Sequence, residues 1–290
     1  MPAQRVHSRL LPALLTFISL TMSGSAQTLP AFNHVFVVLE ENTNYANVIG
    51  NKSMPYVNSL ASKYGLATQY YADTHPSIGN YFTLTTGQVI TNNDSFNGVV
   101  KQDNVVRHLL ASGKTWKAYE EDLPKAGYTA PDVANYARRH CPLSYMSDVL
   151  NVPTQKLNLV PFTQFAKDLA GGTFPSYSFI TPNLCNDAHD CSLATADKWL
   201  QTHIAPLIAS AGFQNGDLLV IVFDESGSDN SHGGGRVAWI AVSPQFSKGA
   251  YKSTTLYQHS STLRLMMQGL GLTTYPGKAK TAPNMAEFFK

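Results

Sequence analysis

Short β-branched apolar runs alternate along the chain with longer stretches of helical period. Residues 34–40 (HVFVVLE) are apolar on both faces and predict a buried strand. Residues 54–64 carry helical spacing, with Gly65 placed to end the helix, and 67–73 predict a second strand. A helix follows over 77–86. Another is expected over 104–112, between Asp103 as N-cap and Gly113 as terminator, and then a strand over 115–119. Residues 162–170 are helical and run into Gly171-Gly172. After a strand over 176–180, residues 195–211 predict one long helix, and 217–223 (DLLVIVF) is the clearest strand in the chain. A further strand at 237–242 and a helix at 260–270, stopping at Gly271, complete the pattern. This alternation predicts an α/β fold with a single doubly wound, largely parallel sheet and helices on both faces. No repeat or Pro/Gly-rich linker divides residues 27–290, which are expected to form one domain. Residues 119–155 have weak periodicity and are expected to be an excursion over one end of the sheet.

Residues 1–26 follow a different rule. Arg5 and Arg9 precede an apolar run of 13 residues (10–22, LLPALLTFISLTM), and Gly24-Ser25-Ala26 supplies small residues before Gln27. This is the form of a secretory signal peptide, and the run falls short of the about 20 residues that a membrane span needs. The mature chain is expected to be exported, secreted or periplasmic, without a transmembrane segment. Losing the leader also changes the charge. The whole chain has 21 basic and 19 acidic side chains, and without Arg5 and Arg9 the two balance. Charged residues are only 14% of the chain, so no field favours non-specific nucleic-acid binding. Export permits disulfides. Cys185 and Cys191 (CNDAHDC) are expected to close a small loop and leave Cys141 buried and free, unless Cys141 takes one of the two as its partner. The paired C-x-x-C spacing of a thiolate zinc site is absent.

In open α/β sheets, ligands bind beyond the carboxyl ends of the strands. The residues that follow the predicted strands are therefore the candidates for chemistry: Glu40-Glu41-Asn42, then Asp73-Thr74-His75-Pro76-Ser77, then Asn183 with the loop Cys185–Cys191, then Asp224-Glu225 with His232, and His259 at the start of the last helix. Carboxylates, histidines and one Ser collect on one edge. Such oxygen and imidazole donors suit Zn²⁺, Mn²⁺ or Mg²⁺ (or Ca²⁺) better than a thiolate-preferring metal. Ser77 opens a helix, where free N–H groups favour a phosphate. Its hydroxyl attacks only if a base or a metal activates it; without that role Ser77 reads as an N-cap. Glu40 is expected to point away from the site, because neighbouring strand residues alternate faces. His75 either packs in its turn or touches phosphate. His34, His108, His140 and His203 fall at the wrong ends of elements and are expected outside the site, and Gly233–Gly235 are expected to make the loop around His232 mobile.

These residues resemble the bacterial and fungal acid phosphatase and phospholipase C phosphoesterase family, within the alkaline phosphatase-like superfamily. The resemblance is carried by Leu39-Glu40-Glu41-Asn42 with Asn44-Tyr45, by Thr74-His75-Pro76-Ser77-Ile78-Gly79-Asn80-Tyr81, by Asn183-Leu184-Cys185-Asn186-Asp187-Ala188-His189-Asp190, by Asp224-Glu225 and by Tyr257-Gln258-His259-Ser260. It extends over residues 34–272, with Gly79 where the family more often has Pro and a Gly/Ser-rich stretch after Glu225. The resemblance implies a doubly wound fold and one or two divalent metal ions. Glu41, Asn42, Ser77, Asp224 and Glu225 would surround one ion. Ser77 would be the nucleophile that forms a phosphoserine, and Asn80 would donate its amide to a phosphoryl oxygen. Asp187, His189 and His259 would form either a second metal site or a phosphate-binding and proton-donating group. The expected substrate is a phosphate monoester. The alternatives are a phospholipase C acting on phosphodiester headgroups and, from another class, a non-catalytic phosphate- or metal-binding protein, for which a retained Ser77 would serve no purpose.

Overall fold

The computed structural model describes residues 1–4 and 28–290; from Arg5 to Gln27 the expected leader lies outside the described residues. The strands are β1 (Val35–Glu40), β2 (Gly65–Ala67), β3 (Tyr70–Tyr71), β4 (Trp116–Glu120), β5 (Leu159–Pro161), β6 (Tyr177–Thr181), β7 (Leu218–Phe223), β8 (Trp239–Val242), β9 (Tyr251–Ser253) and β10 (Tyr257–Gln258). Four helices bear on the site: α1 (Pro55–Lys63), α2 (Ser77–Thr86), α3 (Leu193–His203) and α4 (His259–Gly269). Eight strands form one sheet in the order β5-β4-β6-β1-β7-β8-β2-β9. Neighbours run parallel except at β8, which is antiparallel to both β7 and β2.

All six residues of β1 and all six of β7 are buried, which is why their sequences are continuous rather than alternating. Each fully buried Val, Leu, Ile or Phe contributes about 1.5–3 kcal/mol, so this pair anchors the core. Successive residues of β1 face opposite sides of the sheet. Glu41, just beyond β1, meets Ser77 and Tyr81 of α2, whereas Glu40 lies near Asp197 of α3. Helices thus cover both faces, α2 packing with α4 and α1 with α3. Asp197 fixes the second pair by accepting from Tyr56 N and Val57 N in the first turn of α1.

Several elements differ from expectation. The expected strand over 67–73 is split: β2 joins the main sheet, and β3 pairs with β10 in a separate two-stranded sheet. Gly65 does not end α1 but opens β2, where a Cβ would stand 2.7 Å from the Phe288 ring. Asn104, not Asp103, caps the helix Val105–Ala111 through Arg107 N, while Asp103 bonds His108. The long helix expected over 195–211 is broken. α3 begins under Ser192, whose hydroxyl accepts from Thr195 N, and Pro206 opens a separate helix, Ala205–Ala209, because its ring and missing N–H cannot continue one. Residues 119–155 do form an excursion; its turns Arg138–His140 and Pro142–Tyr145 pack on α2. Cys185 and Cys191 are bonded, and Cys141 is buried and free.

Candidate active site

The carboxyl ends of β1, β6 and β7 lie side by side, and the residues that follow them turn into one pocket of acids. Backbone bonds set the spacing: Glu41 N donates to Asp187 O (2.7 Å) and Asp224 N to Glu40 O (2.9 Å). Ser77 Oγ donates to Glu41 Oε2 at 3.0 Å, and the Asp224 and Glu225 carboxylates adjoin it. Three carboxylates therefore converge on one hydroxyl, which is 3% exposed. Asp224 Oδ1 accepts from Asn42 N (3.0 Å) and Glu225 N (2.5 Å), while its Oδ2 is buried without a partner among the described residues. The Asn42 backbone is held at φ +41°, so the turn that presents it is conformationally constrained.

Burial, together with mutual repulsion, raises the pKa of this group. Desolvation pushes Glu41, Asp187, Asp224 and Glu225 above the ordinary carboxylate range, and Asp224 and Asp187 add repulsion at Glu41. An acid cluster of this kind with orphaned oxygens suits a cation, which the Glu41, Asp224 and Glu225 carboxylates beside Ser77 could hold; Asn42, expected with them, meets Asp224 through its backbone N.

A second group adjoins the first. Ligand atoms of Glu41, His140 and Asp187 lie within 4.8 Å of one another, all three residues being buried, and this spacing could also hold a metal ion. His140 Nε2 is 3.4 Å from Glu41 Oε1, and Nδ1 is 3.6 Å from Asp187 Oδ2. Neither is a hydrogen bond, and both His140 Nε2 and Asp187 Oδ2 are orphaned among the described residues. The His140 ring stacks on Tyr81 at 4.9 Å and 2°, and Tyr81 itself donates to Glu41 Oε1 at 2.6 Å. Burial lowers the pKa of His140, so it is a neutral donor. This corrects the expectation that placed His140 outside the site. The excursion that carries it has only weak periodicity to read, whereas Tyr81, which the sequence reading did not single out, lies one helical turn after Ser77, a spacing that could have marked it.

The other candidates are distributed unequally. His189 N donates to Asp187 Oδ1 (2.8 Å), its Nδ1 bonds Asp190 (2.6 Å), and its ring lies 6.0 Å from that of His140. Its Nε2 has no partner among the described residues. Asn80 is committed elsewhere: Oδ1 accepts from Asp73 N and Thr74 N, and Nδ2 donates to Thr74 O and Glu225 Oε2. It shapes the turn before Ser77, with both ends of its amide in use. His75 bridges Asp229 O (Nε2, 3.1 Å) and Glu225 Oε2 (Nδ1, 3.0 Å), so it orients Glu225 with both nitrogens in use.

His259 also departs from the expected grouping with Asp187 and His189. It is fully buried, and its Nε2 faces Asp224 O at 2.6 Å. A carbonyl only accepts, so Nε2 carries the hydrogen and Nδ1 accepts from Tyr70 OH (3.0 Å). Tyr70 in turn accepts from Thr262 Oγ1 (2.6 Å), which accepts from Trp239 Nε1 (2.9 Å). The chain of bonds admits one order of protons and fixes the backbone beneath Asp224. His232 is exposed, with its ring 4.2 Å from Tyr71. Its loop is tied down rather than mobile. Asn44 Oδ1 accepts from Gly227 N and Ser228 N, and Asp229 takes Ser231 and Arg236 N. The three glycines serve close approach: a Cβ at Gly233, Gly234 or Gly235 would lie 2.1–2.4 Å from Asp73 O, Thr74 O or Ser226 Oγ.

With this geometry in place, the comparison with known proteins is decisive at one level. The sequence model of the phosphoesterase family matches residues 51–273. The chain belongs to the phosphoesterase family. Like its family, it is a hydrolase of phosphoric esters. A phosphatidylinositol-3-phosphatase of Mycobacterium tuberculosis is 35% identical over 267 residues, covering 91% of this chain and 85% of that protein. An acid phosphatase of Aspergillus fumigatus is 34% identical over 83% of this chain, and a probable acid phosphatase of Kluyveromyces lactis 33% over 80%. The chain spans 56% and 57% of the length of these two fungal proteins. Among solved structures, a protein in the alkaline phosphatase superfamily from Vibrio parahaemolyticus superposes with a TM-score of 0.58 at 11% identity, covering 90% of this chain and 73% of that one. The lipoteichoic acid synthase LtaP of Listeria monocytogenes gives 0.58 at 12%, covering 88% and 74%. At such identities the likeness establishes the shared fold. The phosphoesterase match begins after Glu41 and Asn42 and includes Ser77, Asp187, Asp224 and His259.

Proposed function

We propose that the chain is an exported, cation-dependent phosphomonoesterase that uses Ser77 as its nucleophile. The observation that supports this most is the convergence of Glu41, Asp224 and Glu225 on the Ser77 hydroxyl at the start of α2. A divalent ion held there supplies the positive charge that neutralises phosphoryl oxygens and lowers the pKa of the hydroxyl. Ser77 Oγ forms a bond to phosphorus as its proton passes to Glu41 Oε2, its hydrogen-bond partner. The bond from phosphorus to the ester oxygen breaks in line, and that oxygen takes a proton from His189 Nε2. Water then attacks from the vacated side and gives a proton to His189, while the bond from phosphorus to Ser77 Oγ breaks and Glu41 returns its proton to that oxygen, freeing phosphate and Ser77. His75 and Asn80 hold Glu225, and His259 holds Asp224 O, so all three act by positioning. His140, held neutral between Glu41 and Asp187, would ligate a second ion if one binds.

The Mycobacterium tuberculosis relative, by its name a phosphatase of a phosphorylated lipid, supports a monoester substrate. Turnover of p-nitrophenyl phosphate is expected to exceed that of bis(p-nitrophenyl) phosphate and to vanish with a chelator. Faster turnover of the diester would favour the phospholipase C alternative, and chelator-resistant turnover would remove the cation from the mechanism. Export is supported by the leader and by the formed disulfide. Secreted protein should give an N-terminal sequence beginning near Gln27; a mature chain that retains residues 10–22 would refute the leader.

A further inference from the structure

Behind the nucleophile turn is a cavity of about 190 Å³ that the proposed chemistry does not use, lined by Asp73, Gln258, Ser260, Ser261, Lys278 and Thr281 among others. It sits at the first turn of α4, an 11-residue helix whose N-cap, Gln258, makes no capping bond and sends its amide to Ala72 O and His232 O. The N–H groups of a first turn have no partner within the helix. His259 N goes to Asp73 Oδ2 at 3.3 Å, while Ser260 N and Ser261 N meet no acceptor among the described residues. The side chains repeat the pattern. Ser260 is 5% exposed and Ser261 1% exposed, and neither hydroxyl has a hydrogen-bond partner among the described residues. A buried hydroxyl without a partner costs about 1–3 kcal/mol. Two adjacent ones, lining one cavity at a helix start, mark a place where an acceptor is missing. Lys278 is exposed at the same cavity, makes no ion pair with a described residue, and offsets the charge of Asp73.

We propose that this cavity is an anion subsite that takes a phosphate group, distinct from the Ser77 centre. The charges of Asp73 and Lys278 cancel, so the attraction comes from directed donors: two backbone N–H groups, two hydroxyls and the dipole of α4. A tetrahedral oxyanion presents several acceptor oxygens to such a set, which an apolar or cationic ligand cannot do. The volume is that of one phosphate group with a water or two. Two sources share this chemistry: the inorganic phosphate that the enzyme releases, and a second phosphate on a substrate that is hydrolysed at Ser77. The proposal needs only that the enzyme is a phosphoesterase and is independent of the nucleophile.

Equilibrium dialysis of radiolabelled inorganic phosphate against the cation-loaded protein tests it. Wild type is expected to bind two phosphates per chain, and the double variant Ser260→Ala/Ser261→Ala one. Lys278→Gln alters only an exposed side chain, so it guards against misfolding of the double variant. It should weaken the second site about tenfold, because the Asp73 charge is then left uncompensated beside the anion, and leave p-nitrophenyl phosphate turnover unchanged. Kinetics separate the sources. If product phosphate is the ligand, its inhibition of wild type is mixed and that of the double variant purely competitive. If a second substrate phosphate is the ligand, the double variant raises KM for a bisphosphorylated sugar without raising it for the monophosphate. A single phosphate per wild-type chain, or two on the double variant, would overturn the subsite, and it would do so whatever Ser77→Gly shows about the nucleophile.

Discussion

Ser77→Ala and Ser77→Gly should both fold, bind the divalent cation and lose turnover by several orders of magnitude. The expectation is specific because the sequence offers Ser77 a rival role as a helix cap, and the structure assigns that position to Pro76. Ser77 is the first residue inside α2, and its hydroxyl bonds a carboxylate rather than a backbone N–H. Removing it forfeits one hydrogen bond, a cost of about 1 kcal/mol. Removing a nucleophile instead abolishes the covalent step. Gly sharpens the comparison, since it adds no bulk and cannot attack phosphorus. Wild-type enzyme quenched in acid during turnover should carry phosphate on the peptide that contains Ser77. Because a short-lived intermediate escapes trapping, kinetics decide: near-normal turnover by folded Ser77→Gly would sink the mechanism.

Asp224→Ala should lose cation and activity together, with turnover falling by roughly two to three orders of magnitude. Asp224 is fully buried at the end of β7, with one oxygen holding Asn42 N and Glu225 N and the other without a partner among the described residues. The substitution leaves the six-residue register between β1 and β7 untouched, so the sheet persists. Asp224→Asn provides the control. It preserves size and one acceptor for Asn42 N but removes the negative charge, so it should fold at least as well as Asp224→Ala and still bind the ion weakly. Metal content per chain, read by atomic emission beside turnover, is the measurement. An inactive Asp224→Ala with full metal content would show that Asp224 acts on the reaction without ligating the ion.

What the sequence made legible was governed by local rules. β1 and β7 stood out because strands buried on both faces must be continuously apolar, and α2 kept its expected limits to the residue. The acids and Ser77 were readable because open parallel sheets place their chemistry just past strand ends. The antiparallel run of β8 was not, since a four-residue apolar strand reads the same in either direction. Pro206 was visible but was overridden by the helical period around it. The commitments of Asn80, His75 and His259 depend on partners up to 189 residues away, which no spacing announces. His140 reaches the site through tertiary packing of irregular turns on α2. Runs of glycine look alike in sequence whether they loosen a loop or let two backbones touch; at Gly233–Gly235 the second holds.

The position of β1 between β6 and β7 has a consequence for the chain as it is made. Its partners, Tyr177–Thr181 and Leu218–Phe223, are synthesised long after it. Until they emerge, a six-residue stretch of Val, Phe, Leu and one Glu keeps both hydrogen-bonding edges open. Such a segment pairs readily with other chains, and closing loops of this length delays the native pairing. Aggregation during synthesis or refolding is thus expected to involve Val35–Glu40, and dilution or a holdase covering that stretch should raise the folded yield.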